Sequence, residues 1–395
     1  MNSLTGPRGF RAAGVPCGIK PDRLDLAVIA ADAPAQAAAL FTTNRAQAAP
    51  VLVSREHLKG GRARAVVVNS GCANAATGAT GLADAREMAA LTAAALGCAP
   101  AEVVVASTGV IGVDLPMPRL RSGIPAAVAA LSVDGSDDAA RAILTTDTGP
   151  KHVHVPFSMG SASASIGGIA KGAGMIAPNM ATMLAFLTTD ADIEPDLLKD
   201  ALREAVAESF NRITVDGDTS TNDMVLILAS GRSDLPAIQS QDEVYREFRA
   251  ALTQACRTLA SAIVRDGEGA TRVAEVRVEG ARTAQDADRI ARVIGESLLV
   301  KTAIFGRDPN WGRVLGALGR AGVELDVAQV DIYFGDVCVA REGRAAQYSE
   351  SEAKATLDED PARIVVRLRE GVARGWIWTC DLTHSYVDIN ASYRS

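Results

Sequence analysis

The chain of 395 residues has no clustered cysteines: Cys17, Cys72, Cys98, Cys256, Cys338 and Cys380 lie far apart and form neither a CxxC nor a mixed Cys/His ligand spacing. That pattern excludes a disulfide scaffold and predicts reduced thiols in a cytosolic protein. Long apolar runs are missing too. The most apolar stretch, residues 88–101, is too short and Ala-rich to span a bilayer, and the opening MNSLTGPRGF lacks the charged-then-apolar order of a secretory signal. A cytoplasmic protein with no membrane partner is the expectation. Basic charge is not in surplus: 40 Lys and Arg against 47 Asp and Glu leave a net charge of -7, a field that repels phosphate backbones. No nucleic-acid partner is expected.

What is present is an ordinary globular composition, 48% hydrophobic and 22% charged, which excludes disorder and collagen. At about 150 residues per domain the length allows two to three domains. Short β-branched runs at 65–68 (AVVV) and 103–105 (VVV) read as buried strands. Residues 82–96 read as a helix stopped by Gly97, Pro195 opens a second, and a third covers about 242–264. The alternation implies an α/β or layered α+β architecture. A strand at 273–278 followed by a helix at 284–294 places a soft boundary near Gly280, dividing the chain into 1–280 and 281–395. RGWIWTCDL and SYVDIN read as a strand pair at the C-terminus.

The most unusual segment is 163–189, SASIGGIAKGAGMIAPNMATMLAFLTT, whose one charged residue is Lys171. Three readings of it stay open. A phosphate-cradling loop needs Gly-Lys-Ser/Thr after a spaced Gly, and the order here is wrong. A tight glycine turn followed by a buried Met-rich helix is the plainest. The third is a processing site: a threonine hydroxyl at Thr182 attacks the preceding carbonyl of Ala181 and ends as a new N-terminus, whose α-amine, with a reference pKa of about 7.7 to 8.0, serves as its own base.

His152 and His154 alternate on a strand, but only His57 and His384 stand elsewhere, so a zinc site is not expected. DGDTSTND from Asp216 is calcium-like in composition, yet Ile227 falls where an EF-hand needs its bidentate Glu, which leaves a polar loop near an active site. Trp311 reads as a packing anchor or a pocket wall.

The segment KGAGMIAPNMATMLAF resembles the signature of the ornithine acetyltransferase family, the bifunctional glutamate N-acetyltransferase and amino-acid acetyltransferase of arginine biosynthesis. The resemblance recurs in family order as NSGCANAATG (69–78), ASTGVIG (106–112), TTDTGPK (145–151), ITVDGDTSTND (213–223), DGEGAT (266–271), FGRDPNWGR (305–313) and YVDINASYRS (386–395). It implies an αββα sandwich holding the cleavage site between its sheets, a smaller C-terminal α/β domain, and self-cleavage into chains 1–181 and 182–395 that assemble as α2β2.

The resemblance also implies the chemistry. Thr182 matches the nucleophile, Thr108 and Gly109 the oxyanion-hole pair, and Thr148, Lys171, Glu268, Asn390 and Ser395 the positions that bind the amino acid. Acetyl passes from N2-acetylornithine to Thr182 and then to L-glutamate, releasing ornithine. No metal or cofactor is needed; in bifunctional members acetyl-CoA is also a donor. The alternatives are an N-terminal-nucleophile amidase or aminopeptidase, in which water resolves the acyl-threonine, and a non-catalytic amino-acid-binding protein.

Overall fold

The computed structural model describes residues 2–177 and 183–392. In chain order the first part contains β1 (Phe10–Val15), β2 (Leu26–Phe41), α1 (Ala49–His57), β3 (Arg62–Cys72), α2 (Gly78–Leu96), β4 (Val103–Val110), α3 (Met117–Ala129) and α4 (Ser136–Ala142). It continues through β5 (Lys151–Met159), β6 (Ala162–Lys171), β7 (Leu184–Thr189), α5 (Pro195–Ala207), β8 (Ile213–Thr214), β9 (Met224–Ala229) and α6 (Glu243–Arg265).

Strand alternation explains the layering. In β3, Val66 and Val68 face one core while Val67 faces another; β4 divides Val104 and Ala106 from Val103 and Val105 in the same way. On the far side, Leu184 and Phe186 of β7 with Met224, Leu226 and Leu228 of β9 join Val66 and Val68 in a shared core. Their alternates Ala185, Leu187, Val225 and Ile227 turn outward onto α5 and α6. Period-2 strands with both faces apolar are buried on both sides, so the result is αββα: helices α1 to α3, a leaf β4-β3-β2-β1, a leaf β2-β9-β7-β6-β5, and helices α5 and α6. The 16-residue β2 belongs to both leaves. Its first half pairs with β1, its second with β9, and its pairing with β3 breaks register between Ala30 and Ala35, which lets one strand bend from leaf to leaf.

The second part holds β10 (Val273–Ala281), α7 (Ala284–Gly295), α8 (Leu298–Gly306), α9 (Trp311–Gly319), β11 (Asp331–Phe334), β12 (Val337–Arg341), β13 (Arg344–Ala345), α10 (Glu350–Thr356), β14 (Ala362–Arg367), β15 (Ala373–Cys380) and α11 (His384–Ser392). Its sheet runs β13-β12-β11-β14-β10-β15-β8. Val276, Val278, Ile364 and Val366 form a separate core with Ile290 and Ile294 of α7. Trp311 opens α9 and packs on that core.

The helix signals acted as expected: Gly97 caps α2 in the left-handed region, Pro195 occupies the first turn of α5, and Asp242 caps α6 through the Tyr245 N–H. Two expectations fail. SYVDIN is helix α11, not a strand, because β15 already has β10 on one side and β8 on the other and offers no edge for a hairpin partner. A glycine bend does follow β6 at 173–175, but the stretch beyond it continues as strand β7 at 184–189 and not as a helix, while Gly167 and Gly168 lie inside β6. A side chain at Gly167 would stand 1.7 Å from the Ser3 carbonyl oxygen, so glycine here permits the N-terminal segment to cross.

Candidate active site

The ends of β3, β4 and β6 meet the 216–223 loop at a cavity of about 130 Å³. Thr108, Gly109, Lys171, Glu268 and Asn390 all line it, joined by Asp216, Asn222 and Tyr386. These residues come from distant parts of the sequence, and the two-leaf fold brings them together.

Thr108 and Gly109 end β4, opposite the point where the β3–β4 pairing slips register at Gly71 and Cys72. Gly109 has φ +131°, and a Cβ there would lie 2.3 Å from the Gly71 carbonyl carbon. Only glycine fits this turn. Lys171 ends β6, is buried, and donates from Nζ to Thr108 Oγ1 at 3.3 Å. Because that oxygen accepts from an ammonium, the Thr108 O–H must donate elsewhere, which suits it to a developing oxyanion. Lys171 has this one hydrogen bond among the described residues, so its ammonium keeps donors for a substrate carboxylate. Burial pushes the Lys171 pKa down, Asp147 opposes that, and Lys151 reinforces it, while Asp223 and Glu268 also act upward.

Asp147 is the counter-charge. Its Oδ1 accepts from Lys151 Nζ at 2.7 Å and from the Gly172 N–H at 2.6 Å. Burial alone would raise this carboxyl, but Lys171 and Lys151 overcome it and hold the pKa at about 2. Lys151 reaches on to Asp266 at 2.6 Å, and Asp266 accepts from the backbone N–H and hydroxyl of Thr148. Thr148 is therefore placed outside the cavity lining, tied to it through Asp266, Lys151 and Asp147.

On the opposite wall Glu268 Oε2 accepts from Asn390 Nδ2 at 2.7 Å. Tyr386, one turn earlier in α11, donates its hydroxyl to Asp216 Oδ2 at 3.4 Å. Asp216 in turn accepts from the N–H groups of Met175 and Ile176 at 2.5 and 2.9 Å. Burial raises its carboxyl to about 6 against those N–H groups. Thr182, Ala181 and Ser395 lie outside the described residues. The flanks of 178–182 are placed: Met175 and Ile176 are held by Asp216, and the Met183 N–H is held by Asp223 at 2.8 Å.

Sequence reasoning did not single out Asp147, Asp223 or Tyr386 and took Asp216 only as the start of a polar loop. The signal was available: each stands in one of the quoted motif blocks, and a carboxylate beside Gly, Thr or Asn in such a block is suited to capping backbone N–H groups. His152 bonds Ser3 and Asp137. Among the described residues no group of three or more His, Cys, Asp or Glu is arranged to hold a metal, and no helix is long and apolar enough to cross a membrane. All six cysteines are free.

An αββα sandwich that gathers a glycine turn, a threonine hydroxyl and a buried cation at one cavity has the parts that acyl transfer calls for. The ArgJ family model matches residues 11–395, and the chain belongs to that family. It is 50% identical over 395 residues to the arginine biosynthesis bifunctional protein ArgJ of Symbiobacterium thermophilum, covering 99% of this chain and 98% of that one. The protein of the same name from Bacillus subtilis is 46% identical over 393 residues, covering 99% and 96%. A crystal structure of arginine biosynthesis bifunctional protein argJ from Bacillus halodurans is 46% identical and covers 53% of this chain and 98% of that one, with a TM-score of 0.51. The chain is accordingly an enzyme of arginine biosynthesis, an ornithine acetyltransferase and glutamate N-acetyltransferase.

Proposed function

We propose that the enzyme works by a ping-pong route through acetyl-Thr182. The chain first cleaves between Ala181 and Thr182, freeing the Thr182 α-amine. That amine takes the proton of the Thr182 hydroxyl as the oxygen attacks the acetyl carbonyl of N2-acetylornithine. Thr108 and Gly109 hold the tetrahedral oxyanion. The C–N bond breaks, the departing nitrogen takes the proton, and ornithine leaves an acetyl ester on Thr182. Glutamate then enters, its α-amine attacks the ester, and N-acetylglutamate departs with the threonine oxygen reprotonated.

An amide is exchanged for an amide, so the cycle is close to energy-neutral and calls for no cofactor. Lys171 holds the α-carboxylate that both amino acids share. Glu268, steadied by Asn390, faces the α-nitrogen, and Ser395 and Thr148 complete substrate binding, Thr148 through the Asp266–Lys151–Asp147 chain. Acetyl-CoA, as a thioester, enters the same cycle as a second donor by acetylating Thr182. The working enzyme is a cytoplasmic α2β2 assembly of the two cleaved chains.

The observation that carries this reading is the convergence of Thr108, Gly109, Lys171, Glu268 and Asn390 on one cavity. Its test is the denaturing intact mass of fresh protein, alone and after brief incubation with N2-acetylornithine. Two fragments meeting at Ala181 and Thr182, with one acetyl added to the C-terminal piece, are expected. Retained acetyl exchange in a Thr182→Ala protein would overturn the covalent route.

A further inference from the structure

Asp223 stands out among the buried carboxyls. It is 1% exposed, its Oδ1 accepts the Met183 N–H at 2.8 Å, and its Oδ2 has no hydrogen-bond partner among the described residues. A buried acceptor left unmatched costs about 1 to 3 kcal/mol and asks for an explanation. The residue before it points the other way. Asn222 donates from Nδ2 to the Ala73 carbonyl at 2.6 Å and to the Ser107 carbonyl at 2.9 Å, and Ser107 is the residue that precedes Thr108. Two consecutive side chains thus grip the two halves of the acyl-transfer site. One holds the oxyanion turn at the end of β4, and the other holds the first residue after Thr182.

The backbone around them is fixed on both sides. The Thr42 N–H donates to the Asp223 carbonyl at 3.0 Å, and the Met224 N–H donates to the Met183 carbonyl at 3.2 Å, where parallel strands β7 and β9 begin. Thr42 also closes the loop from below, its hydroxyl donating to the Ser220 carbonyl at 2.7 Å. The pair therefore sits on rigid strand starts, the kind of support that holds reacting groups in register.

We infer that Asn222 and Asp223 form a positioning brace, which holds Met183, the residue that follows Thr182, in register with the Thr108–Gly109 turn. The inference rests on the reading of Thr182 as nucleophile. Asp223 acts through the Met183 amide and not on the substrate, so it is a positioning residue. Burial pushes its carboxyl well above the usual range, against the opposing pull of the Met183 N–H and the Lys171 charge. An amide oxygen can accept the Met183 N–H as Oδ1 does, so asparagine is the conservative replacement.

The test compares Asp223→Ala with Asp223→Asn, reading the fraction of two-chain protein with time, the thermal midpoint, and kcat and KM for exchange between N2-acetylornithine and glutamate. In the alanine variant, self-cleavage slows and kcat falls about 100-fold, the cost of a misplaced reacting group, while KM is unchanged. Asparagine restores most of both rates. Wild-type kcat in the alanine variant, a loss carried by KM, or an asparagine variant as slow as alanine each overturns the brace. Should Asp223→Ala yield no folded protein, Asn222→Ala tests the other arm: lowered kcat with slowed cleavage supports the brace, and wild-type rates overturn it. A Thr182→Ala control separates the two claims. If that variant keeps exchange, the nucleophile reading has failed; if it is inactive while Asp223→Ala is not, only the brace has.

Discussion

The two walls of the cavity are built differently. The inner wall, Thr108, Lys171 and Asn222, sits on strand ends between packed leaves and is buried throughout. The outer wall is α11, a helix with no buried residue, whose Val387 is 61% exposed and which is tied to the cavity by Asn390 to Glu268 and Tyr386 to Asp216. Strand ends in a packed core move little, so groups there are suited to stabilising a transition state. A helix held by a few polar contacts is suited to shaping what enters. The difference predicts that inner-wall changes act on kcat or on the shared carboxylate, and outer-wall changes act weakly and on discrimination.

The largest effect should come from Thr108→Ala. Loss of one oxyanion donor lowers kcat about 100- to 1,000-fold with little change in KM, and Thr108→Ser restores much of it. Steady-state kinetics of the three proteins decide the matter; a variant that loses only substrate affinity would place Thr108 in binding and remove the contrast between walls.

Lys171→Met comes next. The cation-carboxylate contact is common to acetylornithine and glutamate, so KM for both should rise together by about 10- to 100-fold. If the two KM values move apart, Lys171 reads a side chain and not the α-carboxylate. Asn390→Ala on the outer wall removes one hydrogen bond to Glu268 and should cost about 3- to 10-fold in kcat/KM. An effect as large as that of Thr108→Ala would show the outer wall to be part of the chemistry.

The contrast also explains what the sequence revealed. The leaves were readable because strands such as AVVV and VVV carry their own burial pattern, and Gly97, Pro195 and Asp242 mark helix ends through local backbone chemistry. The inner wall was half readable. Motif blocks pointed to Thr108, Gly109 and Lys171, but Asp147 and Asp223 act by capping the N–H groups of Gly172 and Met183, both remote from them in sequence, and a carboxylate's partners are invisible before the leaves fold together. The outer wall misled. Val387 and Ile389 alternate with polar residues as a strand would, yet both are exposed in α11, so their spacing reports no buried face. The bend of β2 had no local signal; it is set by which partners each half finds.

The smallest effect concerns the carboxylate that links the walls. Asp216 caps Met175 and Ile176 while accepting from Tyr386 of α11, and burial raises its pKa to about 6 in the folded protein, against about 3.9 in an unfolded chain. Between those values the folded state binds more protons than the unfolded one, so this group makes stability fall as pH rises from about 4 to 6. Above pH 6 its deficit is constant. Thermal midpoints of the wild type and Asp216→Asn across pH 4 to 7 should therefore differ in slope, the wild type losing stability relative to the variant as pH rises to about 6, whatever the lost backbone contacts do to its midpoint at any one pH. Asp223, whose carboxyl burial also raises, is present in both proteins and cancels in the comparison. Parallel profiles would mean that Asp216 is ionised across this range and that solvent reaches the seam between the two walls.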